Sequence, residues 1–274
     1  MSTGVPGPPF AQIIEHNMLG LYRYYAARGQ GICSDVGGIV RYESSIPVTS
    51  LNGVFSTGFD GEITDRVIAR ALEPFAARRC SMFWWLGDGA PHRRVASRLR
   101  SRGLFAAPPM PGLAASLAEL PLDAKPPREL AILPLSHPEE ITGFLLLQNE
   151  ALGSEPGILE ALVRFNLALG LDPDLPLRRY VGLVDGRPVA SCILFLHGAA
   201  AGIYSLSTRP EFRRRGFGAA MTLAALRHAR TAGARCAVLE ASEMGYALYR
   251  TLGFREYARY HTALFRPAAL RTRP

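Results

Sequence analysis

Apolar positions follow two rhythms along this chain. Over residues 11–28 they recur every three or four positions, at Ile14, Met18, Leu21 and Tyr25, which gives a helix one apolar face. The glycine-rich stretch 29–38 breaks that helix. Positions 39–42, 48 and 51–55 read as short strands with turns between them. Helical spacing returns over 62–79 through Ile63, Val67, Ala71 and Phe75, with Pro74 as a point of kinking. The continuous apolar run 80–86, which contains Trp84 and Trp85, predicts a strand closed by glycines. The two tryptophans point to opposite faces of it, one to the core and the other to a pocket between the halves. Pro91 opens a further helix toward Arg102.

Residues 121–127 carry three prolines, Pro121, Pro126 and Pro127, which fit neither a helix interior nor a central strand. The chain is expected to divide there, into a domain over 1–120, a proline-rich linker over 121–127 and a second domain over 128–274. Beyond the linker, 129–135 predicts a strand, and 138–151 and 158–169 predict helices. Residues 179–185 and 189–196 predict a hairpin, which 202–207 extends. The first domain ends in Leu99-Arg-Ser-Arg-Gly-Leu104 and the second contains Tyr249-Arg-Thr-Leu-Gly-Phe254, each after helix, strand, turn and helix. Two explanations stand: an internal repeat, or coincidence between two α/β segments.

One stretch carries more chemistry than the rest. Ile203 to Thr208 reads as a strand that Pro210 ends, and Arg213-Arg-Arg-Gly-Phe-Gly218 follows. Met221, Leu223, Ala224 and Leu226 then have helical spacing. Strand, basic glycine loop and helix in that order describe a phosphate cradle. Glycines let the backbone turn its N–H groups inward, and the first helical turn adds unpaired donors. The dinucleotide fingerprint does not fit. Glu240 suits its acidic position, but Met221 replaces the third glycine, and the loop before Gly216 is too long.

The run 213–218 resembles the Arg/Gln-x-x-Gly-x-Gly/Ala loop of the GCN5-related N-acetyltransferases, the GNAT superfamily. Tyr249-x-x-x-Gly253-Phe254 resembles that family's later signature. The resemblance covers about residues 128–266. It implies an α/β fold with a mixed sheet, here as two tandem GNAT-like domains of which the first is degenerate, having no basic Gly-x-Gly loop. It also implies acetyl-CoA as cofactor and transfer of its acetyl group to a primary amine of a small molecule or peptide in a ternary complex. On this basis Leu206 and Thr208 lie on the strand that pairs with the pantetheine arm. The backbone of Arg214, Arg215, Gly216, Phe217, Gly218 and Ala219 faces the pyrophosphate, and Arg213 takes the family's Arg/Gln position. Arg214 or Arg215 reaches a further phosphate, although a solvated charge explains Arg215 equally. Phe217 reads as packing.

The same resemblance makes Tyr249 the donor of a proton to the leaving thiolate, with a packing aromatic as the alternative. A phenol stays protonated at neutral pH and can serve in this way. Ser242 stands where the family often has a cofactor-binding Asn. The family's strand-borne Glu has no counterpart, since that strand offers Ser205, Ser207 and Thr208 only. Glu240 or Glu243 could substitute, but each reads first as an ordinary surface or sheet-end carboxylate, so the sequence names no base. A catalytically silent acyl-CoA-binding regulatory module is the competing function.

Composition removes other classes. The net charge of +8 is nearly all arginine, with Lys125 the single lysine and no block of five basic residues, so nucleic acid is not an expected partner. No apolar run approaches the ~18 residues of a membrane span. The start lacks a signal-peptide pattern, and a cytoplasmic location is expected. Cys33, Cys80, Cys192 and Cys236 are too scattered for a zinc site or a disulfide framework.

Overall fold

The computed structural model describes residues 9–59, 61–88, 90–152 and 157–267. The first half runs α1 (Phe10–Ala27), β1 (Ile32–Val36), β2 (Ile39–Glu43), β3 (Asn52–Phe55), α2 (Asp65–Ala77), β4 (Met82–Leu86), α3 (Ala90–Ser101) and β5 (Phe105–Ser116). The second half begins with β6 (Ala131–Pro134), α4 (Glu140–Leu152), α5 (Leu159–Ala168), β7 (Leu177–Val184) and β8 (Arg187–His197). It closes with β9 (Ala200–Thr208), α6 (Phe217–Thr231), β10 (Cys236–Glu240), α7 (Glu243–Leu252) and β11 (Arg255–Phe265).

Eleven strands form one mixed sheet in the order β1-β2-β3-β4-β11-β5-β10-β9-β8-β7-β6. The α/β mixed-sheet class expected from the sequence is the observed one. Helices α2, α3, α6 and α7 cover one face, and α1, α4 and α5 cover the other. Each face buries aliphatic and aromatic side chains from alternate strand positions, so the sheet is the shared floor of every core cluster. The repeat is present in the topology. Strand, helix, strand, helix, strand occurs as β3-α2-β4-α3-β5 and again as β9-α6-β10-α7-β11, and in each the first two strands are parallel.

The last strand of each half is built into the other. β5 pairs antiparallel with β10, while β11 pairs antiparallel with β4 and with β5. The proline-rich stretch therefore marks where the chain passes from one half to the next, without marking a gap in the sheet. It is also held down. Leu120, Leu122 and Leu130 are buried, and the Arg227 guanidinium donates to the carbonyls of Leu122 and Ala124. Residues 120–130 form a strap along α6 rather than a free linker.

Two strands escape the sequence pattern. β1 falls in the glycine-rich stretch read only as a break; Gly37 and Gly38, both at positive φ, are the turn joining it to β2. β5 carries Pro108, Pro109 and Pro111, which argue against a central strand. Its register with β10 ends at Gly112, and its pairing with β11 is irregular between Thr262 and Tyr260. Pro108 and Pro109 sit in that irregularity, where missing donors cost little. Residue 48 is not a strand but leads into a short 3-10 turn, and α2 continues as one helix through Pro74.

Candidate active site

β9 and β10 are parallel neighbours for only three residue pairs, Ala200–Gly202 against Cys236–Val238. Beyond them β10 stays with β5 through Glu240↔Gly112, and β9 stays with β8 as far as Thr208. The strands part, and the edge of β9 over 203–208 faces an opening. A non-glycine residue at positive φ, Ser205 (φ 50), sits in a register shift of β9 against β8 and bends the strand away. Leu206 and Thr208, named from the sequence, both lie on this separated segment.

The loop after β9 delivers donors to the same opening. Gly216 caps α6 at φ 80, a conformation that suits glycine and strains other residues. No side chain caps the helix, and the first intrahelical bond is donated by Ala220 to Gly216. The backbone N–H groups of Arg214 to Ala219 thus have no acceptor among the described residues. Six adjacent unpaired donors at a helix start are an arrangement that suits an anion. A Cβ on Gly216 would have only Pro127 nearby, at 3.7 Å, so the loop is open; a Cβ on Gly218 would press on Leu248 at 3.1 Å.

The three arginines are not equivalent. The Arg215 guanidinium pairs with Glu129 at 2.8 Å and lies 5.3 Å from the ring centres of both Phe212 and Phe217. Arg213 donates through Nε to the Thr208 carbonyl at 3.2 Å, tying the loop to the strand end. Arg214 is exposed at φ 64. Phe217 is buried as a packing residue.

The α7 side supplies the other wall. Ser242 caps α7, its hydroxyl oxygen accepting from the Gly245 N–H at 3.2 Å. Tyr249 is buried, edge-on to Phe254 at 5.7 Å, and its hydroxyl has no hydrogen-bond partner among the described residues. Burial, and next the nearby Cys192 thiol, push its pKa up, so the phenol holds its proton throughout the neutral range.

On the opposite face of the sheet, under α1, lies a set of residues that the sequence did not assemble. Glu240 Oε1 and the Tyr260 hydroxyl are both buried and have no hydrogen-bond partner among the described residues. Burial pushes the Glu240 carboxyl up to about 8, with its own backbone N–H opposing the rise. Asn17 of α1 donates to the carbonyls of Phe195 and Ala200 and accepts from the Tyr204 hydroxyl at 2.7 Å. Glu243 is exposed in the first turn of α7, so burial separates the two carboxylates that the sequence left level. Asn17, a polar residue on the apolar face of its helix, was the one local signal; nothing local marks Tyr204 or Tyr260.

A cleft of about 500 Å³ opens at the other end of β9 and β10, lined by Ile13, His16, His197 and Arg235 among others. Asn17 lines it too, but neither the loop 214–219 nor Glu240 does. The parted strands, with the unpaired donors at their mouth, Tyr249 on one face of the sheet and Glu240 on the other, are the better candidate.

Residues 139–254 match the model of the acetyltransferase (GNAT) family. A GCN5-related N-acetyltransferase from Kribbella flavida superposes with a TM-score of 0.69 at 19% identity, over 98% of each chain. One from Sphaerobacter thermophilus gives a TM-score of 0.63 at 17% identity, over 84% of this chain and 77% of its own. A tandem GNAT protein from the clavulanic acid biosynthesis pathway gives 0.58 at 14%, over 91% and 87%. At these identities the likeness is one of fold. No curated protein matches the chain.

Proposed function

We propose that this chain, whose residues 139–254 are a GNAT acetyltransferase domain, transfers the acetyl group of acetyl-CoA to a primary amine by direct attack in a ternary complex. The observation that carries the reading is the run of unpaired backbone N–H groups from Arg214 to Ala219 beside the parted strands. These donors suit a pyrophosphate, and the free edge of β9 at Leu206 to Thr208 suits an amide-bearing arm. Arg213 and Arg214 add positive charge at the mouth, and Arg215 braces the loop against Glu129. Ser242 fixes the start of α7 and leaves its hydroxyl proton available to a ligand.

Bound acetyl-CoA supplies the acetyl group, a nitrogen–carbon bond forming as the carbon–sulfur bond breaks. Glu240 takes up the proton that the nitrogen gives off. Its environment suits the task, because a carboxyl titrating near 8 is a far stronger base than an exposed one. Tyr249 keeps a proton ready for the sulfur. Burial of both groups limits competition from water.

The acceptor side lies under α1, so the first half helps shape the pocket. The division into a 1–120 unit and a 128–274 unit is retained as two interlocked repeats, only the second of which takes cofactor. The test is calorimetric titration of CoA and acetyl-CoA into the full chain, with thiol release measured across an amine panel. One CoA per chain with release in the presence of an amine is expected. Failure of CoA to bind removes this reading. Tight CoA binding with no amine ever acetylated favours the silent acyl-CoA-binding module.

A further inference from the structure

The acceptor pocket has a chemical character of its own, and it rests on the reading of Glu240 given above. β5 separates β10 from β11, so a side chain on β11 can approach Glu240 only across β5. The β5 residue opposite Glu240 is Gly112, and a Cβ there would stand 2.9 Å from Cε2 of Tyr260. The Tyr260 ring therefore occupies the space that any other residue at 112 would fill, and it leans over β5 toward Glu240. Glu240 is the leading charged influence on Tyr260, followed by Glu15. Two polar atoms from different strands, Glu240 Oε1 and the Tyr260 hydroxyl, are thus buried on the same face of the sheet, and neither has a partner among the described residues. Buried polar atoms are rarely left so, and a pair of them implies a polar guest.

The surroundings say what else that guest carries. Tyr22 packs on Phe55 with ring centres 4.7 Å apart, Phe55 stacks on Trp85 at 6.2 Å, and Trp85 meets Tyr260 edge-on at 6.2 Å. Phe55, Trp85 and Tyr260 are buried, while Tyr22 and the neighbouring Tyr204 are only partly so, and the strip is accessible at that end. The charged and titratable groups acting on Tyr22, Tyr204 and Tyr260 are Glu240, Glu15 and further tyrosines, with no arginine, lysine or histidine among them. Glu15 itself accepts from the Thr57 hydroxyl. A carboxylate or phosphate on the acceptor would be repelled by the Glu240 carboxylate.

We propose that the acceptor is a primary amine on an aromatic or similarly flat apolar body without an acidic group. Its nitrogen is held between the Glu240 carboxylate and the Tyr260 hydroxyl, and its body lies against Tyr22, whose ring is backed by Phe55 and Trp85. Two N–H bonds of the amine go to Glu240 Oε1 and to the Tyr260 oxygen, which leaves the lone pair free for attack. Tyr260 is then a substrate-holding residue and a determinant of specificity. The aromatic strip comes from the first half, which gives that half a use despite its lack of a phosphate loop.

The test compares 2-phenylethylamine, phenylalanine and n-butylamine as acceptors for the full chain, by thiol release and by titration with and without CoA. We expect kcat/KM for phenylethylamine to exceed that for each of the other two by ~10–100-fold. Tyr260→Phe should raise KM for phenylethylamine ~10-fold with a smaller change in kcat, since it removes a hydrogen bond to the bound nitrogen. CoA affinity should be unchanged in that variant. Phenylalanine used as well as phenylethylamine, an unchanged KM in Tyr260→Phe, or no phenylethylamine binding would each overturn the proposal. Phenylethylamine that binds without turnover would uphold the pocket and remove the catalytic reading instead.

Discussion

The two halves repeat one order of elements and finish their parallel strand pairs in opposite ways. In the first, β3 and β4 stay in register to Phe55↔Trp85, and Ser56 then closes the pair, its N–H and its hydroxyl both donating to the Trp85 carbonyl. In the second, β9 and β10 separate after Gly202 and Val238. The helices that follow differ in the same sense. α2 is capped by the Thr64 hydroxyl, which accepts from the Val67 N–H, and Asp65 sets a negative charge in its first turn. α6 starts at Gly216 with no side-chain cap and no acid in its first turn. On the face toward α1, β4 presents Trp85 where β10 presents Glu240. One half has answered its own helix start and strand end; the other leaves both open. A fold alone does not make a site.

The comparison breaks if the open half can be closed without loss. Gly216→Val puts a β-branched residue at φ 80 and disturbs the donors of the first turn. CoA affinity should fall ~100-fold or more, with about 1–3 kcal/mol of local strain, and calorimetry on a folded variant checks it. Undiminished affinity would mean that the loop is only a connection.

Tyr249→Phe keeps the buried ring and removes the phenol proton. Turnover should drop ~10²–10⁴-fold while acetyl-CoA affinity stays within a few-fold, the drop being smaller at low pH. Steady-state kinetics beside equilibrium titration separates the two; unchanged turnover would leave Tyr249 as packing.

The carboxyl on the open side should reveal itself through pH. Glu240 titrates near 8 in the fold and near 4.3 in an unfolded chain. The folded state therefore holds more protons between those values, and stability declines as pH rises through that window. Glu240→Gln removes the decline. Its Tm should exceed that of the wild type by ~5 °C at about pH 9 and converge with it at about pH 4. In the wild type kcat/KM, expressed per neutral amine, should climb with pH to a plateau above about 8, a limb that the variant lacks. A Tm difference independent of pH would show that Glu240 is not held protonated.

The smallest effect belongs to the closed side. Thr64→Ala should cost about 1 kcal/mol of stability by loss of the cap and leave CoA affinity and stoichiometry untouched. Because β5 and β11 are exchanged, the halves are to be compared within the whole chain rather than as fragments. A gain of a second CoA in Thr64→Ala would mean that the cap alone had silenced the first half.

Much of the second half was legible in the residues themselves. A strand ended by Pro210, a loop of three arginines and two glycines, and a helix with apolar spacing are local facts. A helix start exposes its N–H groups wherever it occurs, so the sequence alone determined the donor site and the α/β class. Tertiary structure decided what depends on distant partners. β5 was hidden because its prolines weigh against a strand until its register shows where donors are dispensable. The exchange of β5 and β11 leaves no mark in either strand, since pairing partners far apart in sequence are chosen by the whole sheet. Glu240 and Glu243 are chemically alike three residues apart, and only the packing of α1 and Tyr260 buries the first and leaves the second in water. That difference in solvation, which no spacing encodes, raises the pKa of one carboxyl and leaves the other a helix-start charge.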